Sequence, residues 1–262
     1  MPHPIPLAKR FSATYFSLRV VIAVLAFLLP PLLRYGGLKR GVPYQPSMSD
    51  YYWASHEVSA PPCKATPAAS NVQKQAVLVN IPGGAMRNTF VGFLFAVGVL
   101  LYCYKGYSIE ENMALNFAGL MAWGIASFPM DWTCTDDKFN AHGICAILFF
   151  AAITYVSLFR SRDTLIYITS AAKRKIYSVV YIFLSIAMIA FPVAAWIINV
   201  RTNTGRAIYW EELTGIYAFS AYWVVKILES RSIAAETTLS VARTKNAPEE
   251  STAKEKRDIH SR

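Results

Sequence analysis

The chain predicts an all-α fold, a polytopic transmembrane helix bundle with six spans, on three observations. Of its 262 residues, 54% are hydrophobic and only 16% charged, a composition on the membrane side of the soluble range. The charges are expelled from several apolar runs and gathered between them, which separates a membrane chain from a merely greasy soluble one. The runs are continuous rather than alternating, so each backbone polar group must pair within its own segment, as a helix does in lipid.

The first span is residues 14–33. Arg10 followed by an apolar run to Leu33 imitates a secretory signal, but "LLPPLLRYGG" offers no small-residue cleavage site, so the run stays as a helix. Arg19 inside it is expected to snorkel its long stem toward the cytoplasmic headgroups. The second span, 89–104, is shorter than the about 20 residues a crossing needs. Asn88 and Thr89 before it, and Tyr102, Tyr104 and Tyr107 at its end, extend it into the interfaces. In the third, 113–130, Ala114, Ala118, Ala122 and Ala126 recur at every fourth position with Gly119 and Gly124 nearby, a stripe that admits a close neighbouring helix. Asn116 is expected to hydrogen-bond across that contact, and Pro129 to end the helix. The remaining spans are 141–159, 176–200, with a kink near Met188 expected from Pro192, and 208–228.

Residues 1–230 therefore form the six-helix membrane domain, with an outer loop at 34–88. Residues 231–262, ending "NAPEESTAKEKRDIHSR", are too polar to fold alone and are expected to be a disordered cytoplasmic tail. Arg160, Arg162, Lys173, Arg174 and Lys175 put five cations in one short loop, which the positive-inside rule places in the cytoplasm. With six spans both termini lie there too, and the expected location is a cell inner (plasma) membrane. Six cations between Arg34 and Arg87 run against that trend. The net charge of +10 points to anionic membrane lipids as partners. Nucleic acid is disfavoured, because no aromatic-rich basic platform appears.

On this topology "FPMDWTCTDDKFNAHGICAILFF", residues 128–150, is an outer-face connection. It shares its level with "SMSDYYWASH" (47–56), Arg87 and "YWEEL" (209–213), so Asp131, Asp136, Asp137, Glu211 and Glu212 collect against Arg87, with His56 and His142 available. Three readings follow. The acids and aromatics form an ordinary interface, Glu211 and Glu212 favouring the positive end of the last helix. Alternatively His56, His142 and Asp131 hold a metal that activates water for a membrane-embedded lipid hydrolase, although no HExxH or paired-histidine spacing exists. The third reading is a site that binds or transports a lipid or small solute, oriented by Arg87 and the acids. Transmembrane haem ligation is disfavoured, since none of the four histidines lies deep in a span.

Cys103 and Cys145 are expected to be buried hydrophobes. Cys63 and Cys134 both fall in outer loops, where an oxidising compartment would permit a disulfide, worth about 4 kcal/mol in the chain-entropy account.

The run "MRNTFVGFLFAVGVLLYCYKGYSIEENMALNFAGLMAWGIASFPMDW" with the following "HGICAILFF" resembles a group of uncharacterised bacterial integral membrane proteins carrying an FP motif, then HG, then a new apolar helix. The similarity takes in "SMSDYYW" and "EELTGIYAFSAYWVVK" as well, and so covers most of the chain except the tail. It implies a six-helix protein of the bacterial inner membrane and no particular reaction. It draws attention to Ser49, Tyr51, Arg87, Lys105, Gly106, Tyr107, His142, Gly143, Glu212 and Lys226. With Ser49 and Tyr51 so added, the candidate ligand site is Asp131, His142, Arg87, Glu212, Ser49 and Tyr51. The membrane hydrolases that include alkaline ceramidases are a more distant comparison through a serine, aspartate and histidine outline; the further histidines of that zinc site are not in this chain.

Overall fold

The computed structural model describes residues 7–56, 83–130, 140–202 and 207–260. These form an all-α structure of six α-helices: α1 (Leu7–Lys39), α2 (Arg87–Cys103), α3 (Ile109–Ser127), α4 (Ala141–Tyr155), α5 (Ala171–Thr202) and α6 (Ala207–His260). A π-turn, Val156–Arg160, extends α4, and 3₁₀ turns cover Ser49–Tyr52 and Asp163–Tyr167. Each helix packs on its neighbours in sequence, and α6 closes the ring against α1.

Local chemistry sets the ends. Ser108 caps α3 by accepting from Glu111 N–H at 3.1 Å, while the Glu111 carboxylate accepts from Tyr107 N–H at 2.7 Å, so two orphan donors are satisfied. Phe128 leaves α3 in an extended conformation (φ −104°, ψ 92°), because the residue before Pro129 is sterically barred from the helical region. Asn140 caps α4 through Gly143 N–H at 3.0 Å.

Two helices outrun by a wide margin the spans expected of them. α1 continues through Pro30 and Pro31 to Lys39 and stops only where Gly41 adopts φ 76°, a conformation open to glycine. Its last turns are held from outside, since a Cβ on Gly37 would lie 2.8 Å from the Tyr51 ring. α6 crosses the boundary expected at residue 230 without a break. Ile233 packs on the core, and the Glu236 carboxylate accepts from Thr169 N–H and from Lys173. The turns just past 230 are thus docked, not loose; composition missed this because only a few side chains make the contact.

Large apolar side chains lie on both sides of the helices, with a set of polar groups enclosed among them. Phe27, Phe95, Leu120, Ile147, Phe183 and Val224 are exposed on the helix exteriors, while Glu111, Ser157, Ser161, Ser185, Lys226 and Glu229 are buried between helices. Stretches within Ala13–Lys39, Ala141–Tyr167 and Ala171–Ala194 are long and apolar enough to cross a membrane, and α2 is apolar but shorter. So much exposed apolar surface, around a core that also encloses polar groups, suits helices that cross a membrane.

The small-residue stripe of α3 packs as expected. Ala118, Ala122 and Ala126 are buried, and a Cβ on Gly119 would lie 2.6 Å from the Gly98 carbonyl of α2. Asn116 reaches across to donate to the Tyr102 carbonyl at 2.8 Å, in the amide orientation that satisfies both groups. Gly119→Ala should therefore separate α2 from α3 and destabilise by about 1–3 kcal/mol, read as a lowered midpoint of thermal unfolding in detergent; an unchanged midpoint would show that the contact yields freely. Cys103 departs from expectation: it is exposed, facing outward from α2, while Cys145 is half-buried. An outward thiol is compatible with lipid contact, so burial inside the protein is not required of it.

Candidate functional site

The described polar residues gather at two opposite ends of the ring. At the end holding the 3₁₀ turn Ser49–Tyr52, the Glu212 carboxylate of α6 accepts from Met48 N–H at 2.5 Å, Ser47 Oγ at 2.8 Å and Ser49 Oγ at 3.4 Å. Glu212 therefore does not serve mainly its own helix terminus; it fastens the preceding loop to α6. Trp53 Nε1 donates to the Met130 carbonyl at 2.7 Å, tying the same loop to the end of α3. Tyr51 is buried, and its hydroxyl has no hydrogen-bond partner among the described residues.

His142 is buried at the start of α4, where Nδ1 faces the Phe128 carbonyl at 2.8 Å and the Ile125 carbonyl at 3.1 Å. Both partners are acceptors, so Nδ1 carries the proton, and the ring satisfies carbonyls left open where α3 ends. It also stacks on Phe90. Arg87 is exposed, with its guanidinium 4.8 Å from the Tyr52 ring centroid. His56 is exposed beside Gly41.

Of the six residues expected to form a ligand site, the structure joins Ser49 and Glu212 directly and puts Tyr51 in the turn they hold. His142 and Arg87 act on other partners, and Asp131 lies outside the described residues, as do Asp136, Asp137, Cys63 and Cys134. No three His, Cys, Asp or Glu side chains come together as a metal site among the described residues.

The opposite end holds a denser network. Lys226 and Glu229 of α6 form an ion pair at 3.1 Å, each side chain 2% exposed. Lys226 also donates to Thr164 Oγ1 at 2.8 Å and to the Ser161 carbonyl at 3.3 Å. Glu229 accepts from the hydroxyls of Thr164 and Tyr181. Arg19 of α1 does not snorkel outward: it donates to Tyr104 Oη through Nε at 2.8 Å and Nη2 at 2.6 Å, and to Ser230 Oγ. Around it opens a cavity of about 760 Å³, lined by Arg19, Lys105, Glu111, Lys226 and Arg231, with Phe16 on its apolar side. No family model, curated protein or solved structure matches the chain.

The basic loop belongs to this end. Arg160 pairs with Glu110 at 3.8 Å and Asp163 at 3.5 Å, Tyr107 and Tyr167 share a hydroxyl hydrogen bond, and Lys173 pairs with Glu236 at 3.2 Å. Thr169 N–H, with Lys173 beside it, holds the Glu236 carboxyl below its ordinary value of 4.5. A depressed folded-state pKa means that this contact is at full strength above that ordinary value and is lost as pH falls through the lower folded one. The Thr169 amide resonance should accordingly titrate with a midpoint below 4.5 and stop titrating in Glu236→Gln; a midpoint above that value would contradict the contact.

Sequence reasoning missed the Arg19–Tyr104–Lys226–Glu229 network as a unit. A signal was present: Lys226 and Glu229 stand three apart in "AYWVVKILES", and ionisable residues inside an apolar run face a bundle interior. What could not be read was their partners, which come from α1, the α2–α3 turn, the segment after α4, and α5.

Proposed function

We propose that the chain is a six-span integral membrane protein of a bacterial inner membrane that binds a lipid or small solute in the cavity beside Arg19. We also propose that it belongs with the six-helix proteins its FP…HG run resembles. The observation that carries the binding reading is the cavity itself: about 760 Å³, within the roughly 300–1,000 Å³ that accommodates small ligands, bounded by both charged and apolar side chains. α2 completes a crossing with its flanking interfacial residues, and α3 and α6 cross as members of the same ring despite the polar groups they turn inward. The five cations of the α4–α5 loop put this end in the cytoplasm.

On this reading the opposite end is a fastener. Glu212 spends its oxygens on the Ser47–Ser49 backbone and hydroxyls, and His142 spends Nδ1 on α3.

Two measurements test the proposal. Cysteines placed at Asp136 and Lys173 should be labelled from opposite sides of the membrane, and labelling from one side would refute the topology. Ala234→Trp, at an exposed position lining the cavity, should fill it and deplete whichever lipid or solute accompanies the purified protein. An unaltered complement of bound molecules would refute the site.

A further inference from the structure

The geometry points to a phosphate group carrying about two negative charges as what this cavity receives, presented either as the monoester of a lipid headgroup or as free phosphate. The inference rests on the binding reading above and gives it a ligand class. Four cations line the cavity, Arg19, Lys105, Lys226 and Arg231, against the single carboxylate of Glu111. Glu229 stands behind Lys226 and neutralises it, leaving a balance of two positive charges. Arg19 makes no ion pair among the described residues; its donors go to the uncharged hydroxyls of Tyr104 and Ser230. A guanidinium held between helices without a directly paired carboxylate is costly, and an anion in the adjoining cavity supplies a partner.

The donors available to such an anion sit at the rim. Lys105 and Arg231 are both exposed and make no hydrogen bond or ion pair among the described residues. Among the described residues, Arg231 is steadied by the Phe16 ring, its guanidinium 5.0 Å from the centroid. A planar guanidinium and an ammonium suit phosphate oxygens. A monoester carries about two negative charges at neutral pH, matching the balance of two, whereas a diester carries one. Phe16 and Ala13 of α1 and Ala234 of α6 continue the wall as apolar surface, as the glycerol and first acyl carbons of a lipid would require.

The test is thermal unfolding of the detergent-purified full chain, at constant ionic strength, with four probes: dioctanoyl phosphatidic acid, dioctanoyl phosphatidylglycerol, dioctanoyl phosphatidylcholine and inorganic phosphate. Phosphatidic acid should raise the midpoint at concentrations at least tenfold below those at which either diester does. Lys105→Ala/Arg231→Ala should weaken that response at least tenfold while leaving the midpoint without ligand unchanged, because neither side chain is part of the buried network. A response to phosphatidic acid alone assigns the ligand to a lipid headgroup, and a comparable response to inorganic phosphate assigns it to the free ion. The assignment is overturned if either diester acts as strongly as phosphatidic acid, if neither phosphate probe acts, or if the response survives in the double variant. Should phosphatidylcholine act equally and Ala234→Trp abolish its effect, the cavity remains a binding site and only the doubly charged phosphate class fails. Should Ala234→Trp leave every response intact, the site itself fails.

Discussion

Lys226→Met is expected to destabilise the bundle by about 3–5 kcal/mol, the range for removing one partner of a buried ion pair. The loss arises on the other side of the pair: Glu229, 1% exposed as a residue, would lose its buried cationic partner and be left with the hydroxyls of Thr164 and Tyr181 as hydrogen-bond donors. Lys226→Met/Glu229→Gln should recover most of that stability, because the amide oxygen still accepts from those hydroxyls while no net charge stays inside. Denaturant unfolding in mixed micelles of the single and double variants separates the outcomes. If the double variant is no more stable than Lys226→Met, the pair is not what holds α6 to α5 and the segment after α4.

Glu212→Ala should cost about 2–4 kcal/mol and act locally. Met48 and Ser47 are each 1% exposed, so the Met48 N–H loses its acceptor without gaining water. The turn Ser49–Tyr52 would then detach from α6, withdrawing Tyr51 from Gly37 and loosening the last turns of α1. Glu212→Gln keeps an acceptor for the N–H and should lose about half as much. Limited proteolysis of intact membranes reads the difference, with cleavage between residues 40 and 56 appearing in Glu212→Ala before general unfolding. Cleavage at the same rate in both variants and the parent would show that Trp53 and Met130 hold the loop by themselves.

Much of the fold is legible in the linear chain because its long continuous apolar runs follow a simple rule. Continuous apolar runs favour helices, so six helices follow from the runs, three of them long and apolar enough to cross a membrane, and the stop at Pro129 and the close approach along the Ala118–Ala126 stripe follow from single residues. The helix lengths were less legible. α1 passes two prolines because Met86 and Tyr51 pack on Gly36 and Gly37, and α6 passes residue 230 because Thr169 and Lys173 wait for Glu236; in each case the deciding residues are distant in sequence.

The same divide runs through the candidate site. The sequence by itself determined an all-α chain with long apolar helices that are candidate membrane spans, and it singled out Arg19, Glu212 and His142, with Lys226 added by the resemblance, without saying what each one faces. Only the tertiary structure decided what each one does. A charge's role depends on what lies within about 4 Å of it, and for these four the partners lie on other helices: Tyr104 and Ser230 for Arg19, the Ser47–Ser49 backbone and hydroxyls for Glu212, the carbonyls closing α3 for His142, and Thr164 together with Glu229 for Lys226.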